Sequence, residues 1–215
     1  KARQLSLIAH LGLRMPKTRV VHRQSDLTAA ASAFDFPVLV KADIGGSGAG
    51  IVRYDSLNDL SAAATDRSAP VGINGVSLLQ DYVPRRDGKI IRVETLAGKF
   101  LYALEVESPG DTFDLCPADA CMVRPGAAAL SMTSVHPPAD IIGAVEAIVQ
   151  AARIDVGSVE YMIDDRDGSA LFYDVNALSN FVANPVSVLG YDPHDVLVDW
   201  LIEQIDAQKK AEAAR

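Results

Sequence analysis

The chain has 215 residues, 49% of them hydrophobic and 22% charged, a globular composition with no apolar run near the ~20 residues a membrane-spanning helix needs. Lys and Arg total 20 against 28 Asp and Glu, giving a net charge of -8, which argues against a nucleic-acid surface because such affinity comes from clustered cations. Only two cysteines are present, Cys116 and Cys121, so a disulfide scaffold is excluded and a reducing, cytoplasmic setting is expected, with no membrane partner.

Taken in order, Leu5, Ile8, Ala9 and Leu11 recur at helical spacing and Gly12 offers a stop. Ser25 and Asp26 are cap candidates for a helix over 26–34. Pro37-Val38-Leu39-Val40 reads as a buried strand ending at Lys41. Glycines follow at 45, 46, 48 and 50, and Ile51–Tyr54 resumes as a strand. Asp55 and Ser56 precede a helix through Leu60 to Ala64, and Val76–Tyr82 is a further strand. After Pro84, Ile90–Leu96 and Phe100–Val106 form a predicted hairpin around Ala97-Gly98-Lys99. A loop-rich stretch over 107–135 contains both cysteines; no His or Cys cluster accompanies them, so zinc is not expected. Residues 139–153 carry Ile141, Ile142, Val145, Ile148 and Val149 on one helical face. Val156–Ile163 and Ala170–Val175 are paired strands around an acidic turn, and a last helix starts near Pro193. The fold class is therefore α+β: a lobe over 1–82, a second over 83–210, a tail over 211–215, and a cleft between the lobes.

Three constellations carry chemistry. Lys41 ends a strand just before Gly45, Gly46, Ser47 and Gly48; backbone N–H groups without a Cβ in the way can cradle phosphate, and the lysine adds a point charge. The lysine precedes the glycines, unlike the usual phosphate loop, and a strand rather than a helix follows, unlike the dinucleotide fingerprint. Glu160 lies on one strand of the downstream hairpin, and Asp174 and Asn176 lie two apart on its partner. Two carboxylates and an amide oxygen on one face are hard donors suited to Mg²⁺ beside phosphates. Asp164, Asp165 and Asp167, nearer the turn, read as ordinary solvated turn acids. Between the lobes, Gln80-Asp81-Tyr82-Val83 offers backbone groups to an adenine edge, and Asp87 is placed to reach a ribose hydroxyl.

In this order the elements resemble the ATP-grasp superfamily, and within it the glutamate-ligase-like carboxylate–amine ligases. Lys1, Gly12, Pro16 and Thr18 match the family's spacing of a first phosphate lysine, helix end and strand start. The resemblance covers residues 1–205 and implies two α/β lobes clasping ATP. It makes Lys1 and Lys41 phosphate ligands, sets Asp81 against the adenine amino group with Val83 contributing a backbone contact, and puts Glu160, Asp174 and Asn176 on Mg²⁺. Asp174 stands where Glu is commoner, and Ala177–Phe181 replaces a Pro-Gly turn. Arg92 is a candidate for an anionic intermediate or a substrate carboxylate. Relatives carry a further α/β domain before the position of Lys1, so the resemblance implies that this domain is absent here.

The activity implied is ATP-dependent ligation of a small-molecule carboxylate to an amine through an acyl phosphate, on an amino acid or small peptide, with ATP and Mg²⁺ as cofactors. Two other readings stay open: an ATP-binding module without ligase activity, and a small-molecule phosphotransferase on the same lobes. Trp200 and the exposed side of the last helix leave a homo-oligomer open.

Overall fold

The structure is a computed structural model that describes residues 1–44, 50–107 and 131–214. Gly45, Gly46, Ser47 and Gly48, Cys116 and Cys121 lie outside the described residues. Two antiparallel sheets organise the rest. The first has four strands, β1 (Thr18–Val21), β2 (Val38–Ala42), β3 (Ile51–Tyr54) and β4 (Ser77–Asp81), in the order β1-β4-β2-β3. The second has five, β5 (Lys89–Leu96), β6 (Lys99–Glu107), β7 (Ser131–Val135), β8 (Val156–Ile163) and β9 (Ala170–Asn176), in the order β7-β6-β5-β8-β9.

Strand alternation divides the first sheet. Val38, Val40, Tyr54 and Leu79 share one face and are buried with Leu27, Ala30 and Ala31 of α2 (Leu27–Ala31) and Leu60 and Ala64 of α3 (Leu57–Thr65). Leu39, Lys41, Leu78 and Gln80 therefore take the other face. α3 starts at Ser56, whose hydroxyl accepts from the Asp59 amide at 3.2 Å, as the sequence suggests. α2 is shorter than the predicted 26–34, because a 3₁₀ turn over Gln24–Asp26 takes its start and Asp26 makes no side-chain cap.

The second sheet divides in the same way. Ile91, Val93, Ala103, Val159, Tyr161 and Phe172 pack on Val145, Ile148 and Val149 of α4 (Ala139–Ala152). Ile8 of α1 (Ala2–His10) joins that cluster with no exposed surface. The predicted division at residues 82/83 is thus crossed by α1, which precedes the first sheet in sequence but packs on the second. The apolar stripe of α1 finds its cover there after a crossover through Arg14, whose carbonyl accepts from the Phe172 amide at 3.0 Å.

The β5–β6 hairpin closes through Ala97 and Gly98, both at positive φ (54° and 72°), the left-handed pair that a two-residue turn requires. At Gly157 a Cβ would lie 2.4 Å from the Asn176 carbonyl oxygen, so only glycine lets β9 approach there. Two elements are missed by the sequence pattern. β7 lies inside the stretch read as loop, being short, polar and at the sheet edge; α5 (Pro185–Leu189) has a single turn's worth of signal. The last helix, α6 (Pro193–Ala213), is capped by Asp192, which accepts from the His194 amide at 2.9 Å.

Candidate active site

Lys41 of β2 and the carboxylates of β8 and β9 meet between the sheets. Cα register pairs Glu160 with Asp174 and Ser158 with Asn176, so Glu160, Asp174 and Asn176 share one face. β9 carries one extra residue opposite the Glu160/Tyr161 step, and this bulge lets Tyr173 join the same group. The Tyr173 hydroxyl donates to Glu160 Oε2 at 2.8 Å, and the Lys41 ammonium lies 5.5 Å from the Tyr173 ring centroid. Nothing in the sequence signals this bulge.

Internal cations already hold both carboxylates. Lys1 Nζ donates to the two oxygens of Asp174 at 3.0 and 3.2 Å. Arg92 Nη1 donates to Glu160 Oε1 at 3.3 Å and Nη2 to Ser179 Oγ at 3.4 Å, while Nε makes a shorter bond, 2.7 Å, to Glu94 Oε1. Glu94 is 1% exposed and its Oε2 has no partner among the described residues. The sequence reading missed Glu94, although Arg-x-Glu on a strand puts the two on one face, a legible signal.

Burial dominates the electrostatics. The Lys41 ammonium is pushed down to about 8, first by desolvation and also by Lys1, against the attraction of Asp174 and Glu160. Desolvation, then the charge of Asp174, raise the Glu160 carboxyl, opposed by Arg92, the Tyr173 hydroxyl and Lys1. The Tyr173 hydroxyl is raised by burial and by Glu160. Charges of both signs thus sit close together and poorly hydrated.

The interlobe segment divides by parity. Gln80 is on the face of Lys41 and is buried, its amide nitrogen donating to Thr18 Oγ1 at 2.7 Å. Asp81 is on the opposite face and lines a separate cavity of about 390 Å³ with Arg14, Lys17, Asp164 and Arg166. Desolvation raises its carboxyl, with Lys17 and Arg166 opposing. Strand alternation turns the Asp81 side chain away from the face that carries Lys41, and Gln80 stands on that face. Tyr82 is half-buried under the Arg53 guanidinium, 4.4 Å from its ring centroid. Val83 is buried with Ile90, Leu104, Met162 and Leu171, an apolar floor beside the carboxylates that no motif announces. Asp87 is exposed in the 3₁₀ turn Arg86–Gly88. Asp164 is not a solvated turn acid: it is 4% exposed and takes three bonds from the Arg166 guanidinium.

The fold recurs in solved structures. The ATP-grasp ligase PsnB in complex with a minimal precursor superposes with a TM-score of 0.71 over 95% of this chain, at 16% identity. The fold is that of the ATP-grasp enzymes. A D-alanine–D-alanine ligase from Bacillus anthracis gives 0.69 over 99% at 19% identity, and a RimK domain ATP-grasp protein from Sphaerobacter thermophilus gives 0.56 over 83% at 15%. The chain spans 59% of the length of PsnB and 68% of the D-alanine–D-alanine ligase. No protein-family profile and no curated protein matches the chain.

The donor set fits a hard dication. Glu160 and Asp174 are register partners, and the Asn176 amide nitrogen is occupied by Ser158 Oγ at 3.3 Å, which leaves its carbonyl oxygen as the donor. Lys1 on Asp174 and Arg92 on Glu160 are positive charges already attracted to the two carboxylates that would help hold a dication.

Proposed function

We propose that this chain is the ATP-binding, catalytic part of an ATP-dependent ligase that joins a small carboxylate to an amine. The observation that carries this reading is the convergence of Lys1, Lys41 and Arg92 on Glu160 and Asp174 in the cleft of an ATP-grasp fold. The solved relatives add support: PsnB has been captured with Mg and ADP and with AMPPNP on a precursor peptide, and a D-alanine–D-alanine ligase shares the architecture.

In this reading Lys41 and Lys1 neutralise the triphosphate, with the glycine-rich segment 45–48 offering backbone N–H groups. Mg²⁺, when bound, withdraws charge from the phosphate oxygens; Glu160, Asp174 and Asn176 are the residues that would hold it. Backbone groups of residues 81–83 meet the purine edge, next to the buried apolar cluster of Val83, Ile90, Leu104, Met162 and Leu171. Arg92, aimed by Glu94, receives the substrate carboxylate. That carboxylate displaces ADP from the γ-phosphorus; the amine then attacks the acyl carbon of the resulting acyl phosphate, free phosphate leaves as the C–O bond breaks, and the amine gives up a proton as the amide forms. The protein's part is positioning and charge compensation.

Incubation with Mg-ATP and pooled amino acids and dipeptides tests the reading. Phosphate release matched by a new amide supports it. A phosphorylated product indicates a phosphotransferase, and tight ATP binding without turnover indicates a binding module; either overturns ligation by this chain.

A further inference from the structure

α1 begins against its local signals. Lys1 stands at its N-cap without a side-chain cap, and its first turn holds Arg3 and no acid, whereas the positive end of a helix favours an acidic or hydroxyl side chain. The missing acid comes from 41 residues away. Asp43 Oδ1 accepts from the Ala2 amide at 2.6 Å. Its Oδ2 accepts from Asn74 Nδ2 at 2.7 Å, and its own amide donates to the Val76 carbonyl at 3.2 Å. The 74–76 turn thus holds Asp43, two residues beyond Lys41, against the start of α1.

Gln4, in the same turn of helix, fastens α1 to the other sheet. Among the described residues β9 is the edge of its sheet, so its outward backbone groups have no strand to pair with. Gln4 Nε2 donates to the Tyr173 carbonyl at 2.7 Å, and Gln4 Oε1 accepts from the Val175 amide at 3.0 Å. One side-chain amide therefore stands in for a neighbouring strand across the step that carries Asp174. It also holds the chain where the bulge brings Tyr173 onto Glu160. Between these two attachments Lys1 Nζ reaches both oxygens of Asp174.

We infer that Asp43 and Gln4 are positioning residues that make α1 a strut across the cleft, Asp43 aiming Lys1 and Gln4 aiming Asp174 at the phosphates and dication of a bound nucleotide. The inference rests on the ATP-binding reading of the cleft. Neither residue touches the nucleotide; each acts through the charged group that it holds.

Calorimetry of the 215-residue chain tests it, with Mg-AMPPNP as one ligand and adenosine, which has no phosphate, as the other. Asp43→Ala and Gln4→Leu should each weaken Mg-AMPPNP about tenfold and leave adenosine within about twofold. Asp43→Asn keeps an oxygen for the Ala2 amide and should restore wild-type affinity. In a Lys1→Ala background Asp43→Ala should cost no further affinity, and Gln4→Leu should cost none in an Asp174→Asn background, since each acts through the group already removed. The same loss in those backgrounds as in the wild type, or a matching loss for adenosine, overturns the positioning role. Unchanged Mg-AMPPNP affinity in both single variants overturns it while leaving the reading of the cleft intact. A wild-type chain that does not bind Mg-AMPPNP overturns that reading and the inference with it. Should Asp43→Ala fail to fold, Asn74→Ala removes one support of Asp43 and should weaken Mg-AMPPNP about threefold; no change there overturns the role of Asp43.

Discussion

The β8–β9 hairpin carries acids at its root and at its turn, a few residues apart, and the two sets behave oppositely. At the root, Glu160 is buried beside Asp174 and its carboxyl is raised, chiefly by desolvation. At the turn, Asp164 is lowered by the Arg166 guanidinium, and Asp167 is lowered to about 2 by the hydroxyl and amide of Ser169 and by Arg14. The turn meets its own electrostatic demand with local partners and docks on the interlobe crossover, where the Asp165 amide donates to the Pro84 carbonyl at 2.9 Å. The root depends on cations from three distant parts of the chain: Lys1, Lys41 and Arg92. Local satisfaction makes structure, and demand left for remote or external charge makes a site.

That contrast can be broken experimentally. The largest effect is expected at the root: Asp174→Asn or Lys41→Ala should lower Mg-ATP turnover at least about 100-fold while leaving the circular dichroism spectrum intact. Retained turnover in either variant would erase the distinction between root and turn. Glu94→Gln should lower kcat/KM for the carboxylate substrate about tenfold by loosening Arg92, with a smaller change in nucleotide affinity. At the turn, Asp164→Ala should cost about 1–2 kcal/mol in denaturant unfolding, because it removes the bonds from Arg166, and should leave turnover within about threefold.

The pH dependences should also fall in different windows. Lys41 ionises near 8 in the folded state against 10.5 in the unfolded chain. Between those values the unfolded chain holds a proton that the folded protein has lost, so this group makes stability rise with pH there. The cationic form is the one that binds phosphate, so nucleotide affinity should fall as pH rises through about 8, and calorimetry in buffers of different ionisation enthalpy should show proton uptake. Asp167 is lowered, so its contribution is present above 3.8 and is lost as pH falls toward about 2. Asp167→Asn should remove that acid-side dependence, the smallest of these effects, without altering the limb near pH 8.

Much of the fold is legible in the residues because local patterns and burial agree. Pro37–Lys41, the Ala97-Gly98 turn and the apolar face of residues 139–153 each carry a period or a turn signal that packing reinforces. The candidate site is legible in its charges: Lys41, Glu160, Asp174 and Asn176 stand at strand positions with spacing that sets them on one face or at a strand end. What escaped has no local signature. β7 is a polar edge strand recruited by β6. Tyr173 enters the site through a bulge. Met162 and Leu171 look like any core residues. The face that Asp81 takes has no local signature either, because parity near a strand end depends on where pairing begins, which is a property of the sheet.

The sequence by itself determined which residues carry charge, which runs alternate, and which turns need a left-handed pair, because these follow from side-chain chemistry and backbone sterics within a few residues. Only the tertiary structure decided who meets whom. It carried α1 across to the second sheet, delivered Lys1 to Asp174 over 173 residues of separation, and clamped Arg92 between Glu94 and Glu160. Those pairings depend on desolvation and on register between strands far apart in the chain, and neither exists until both sheets have formed.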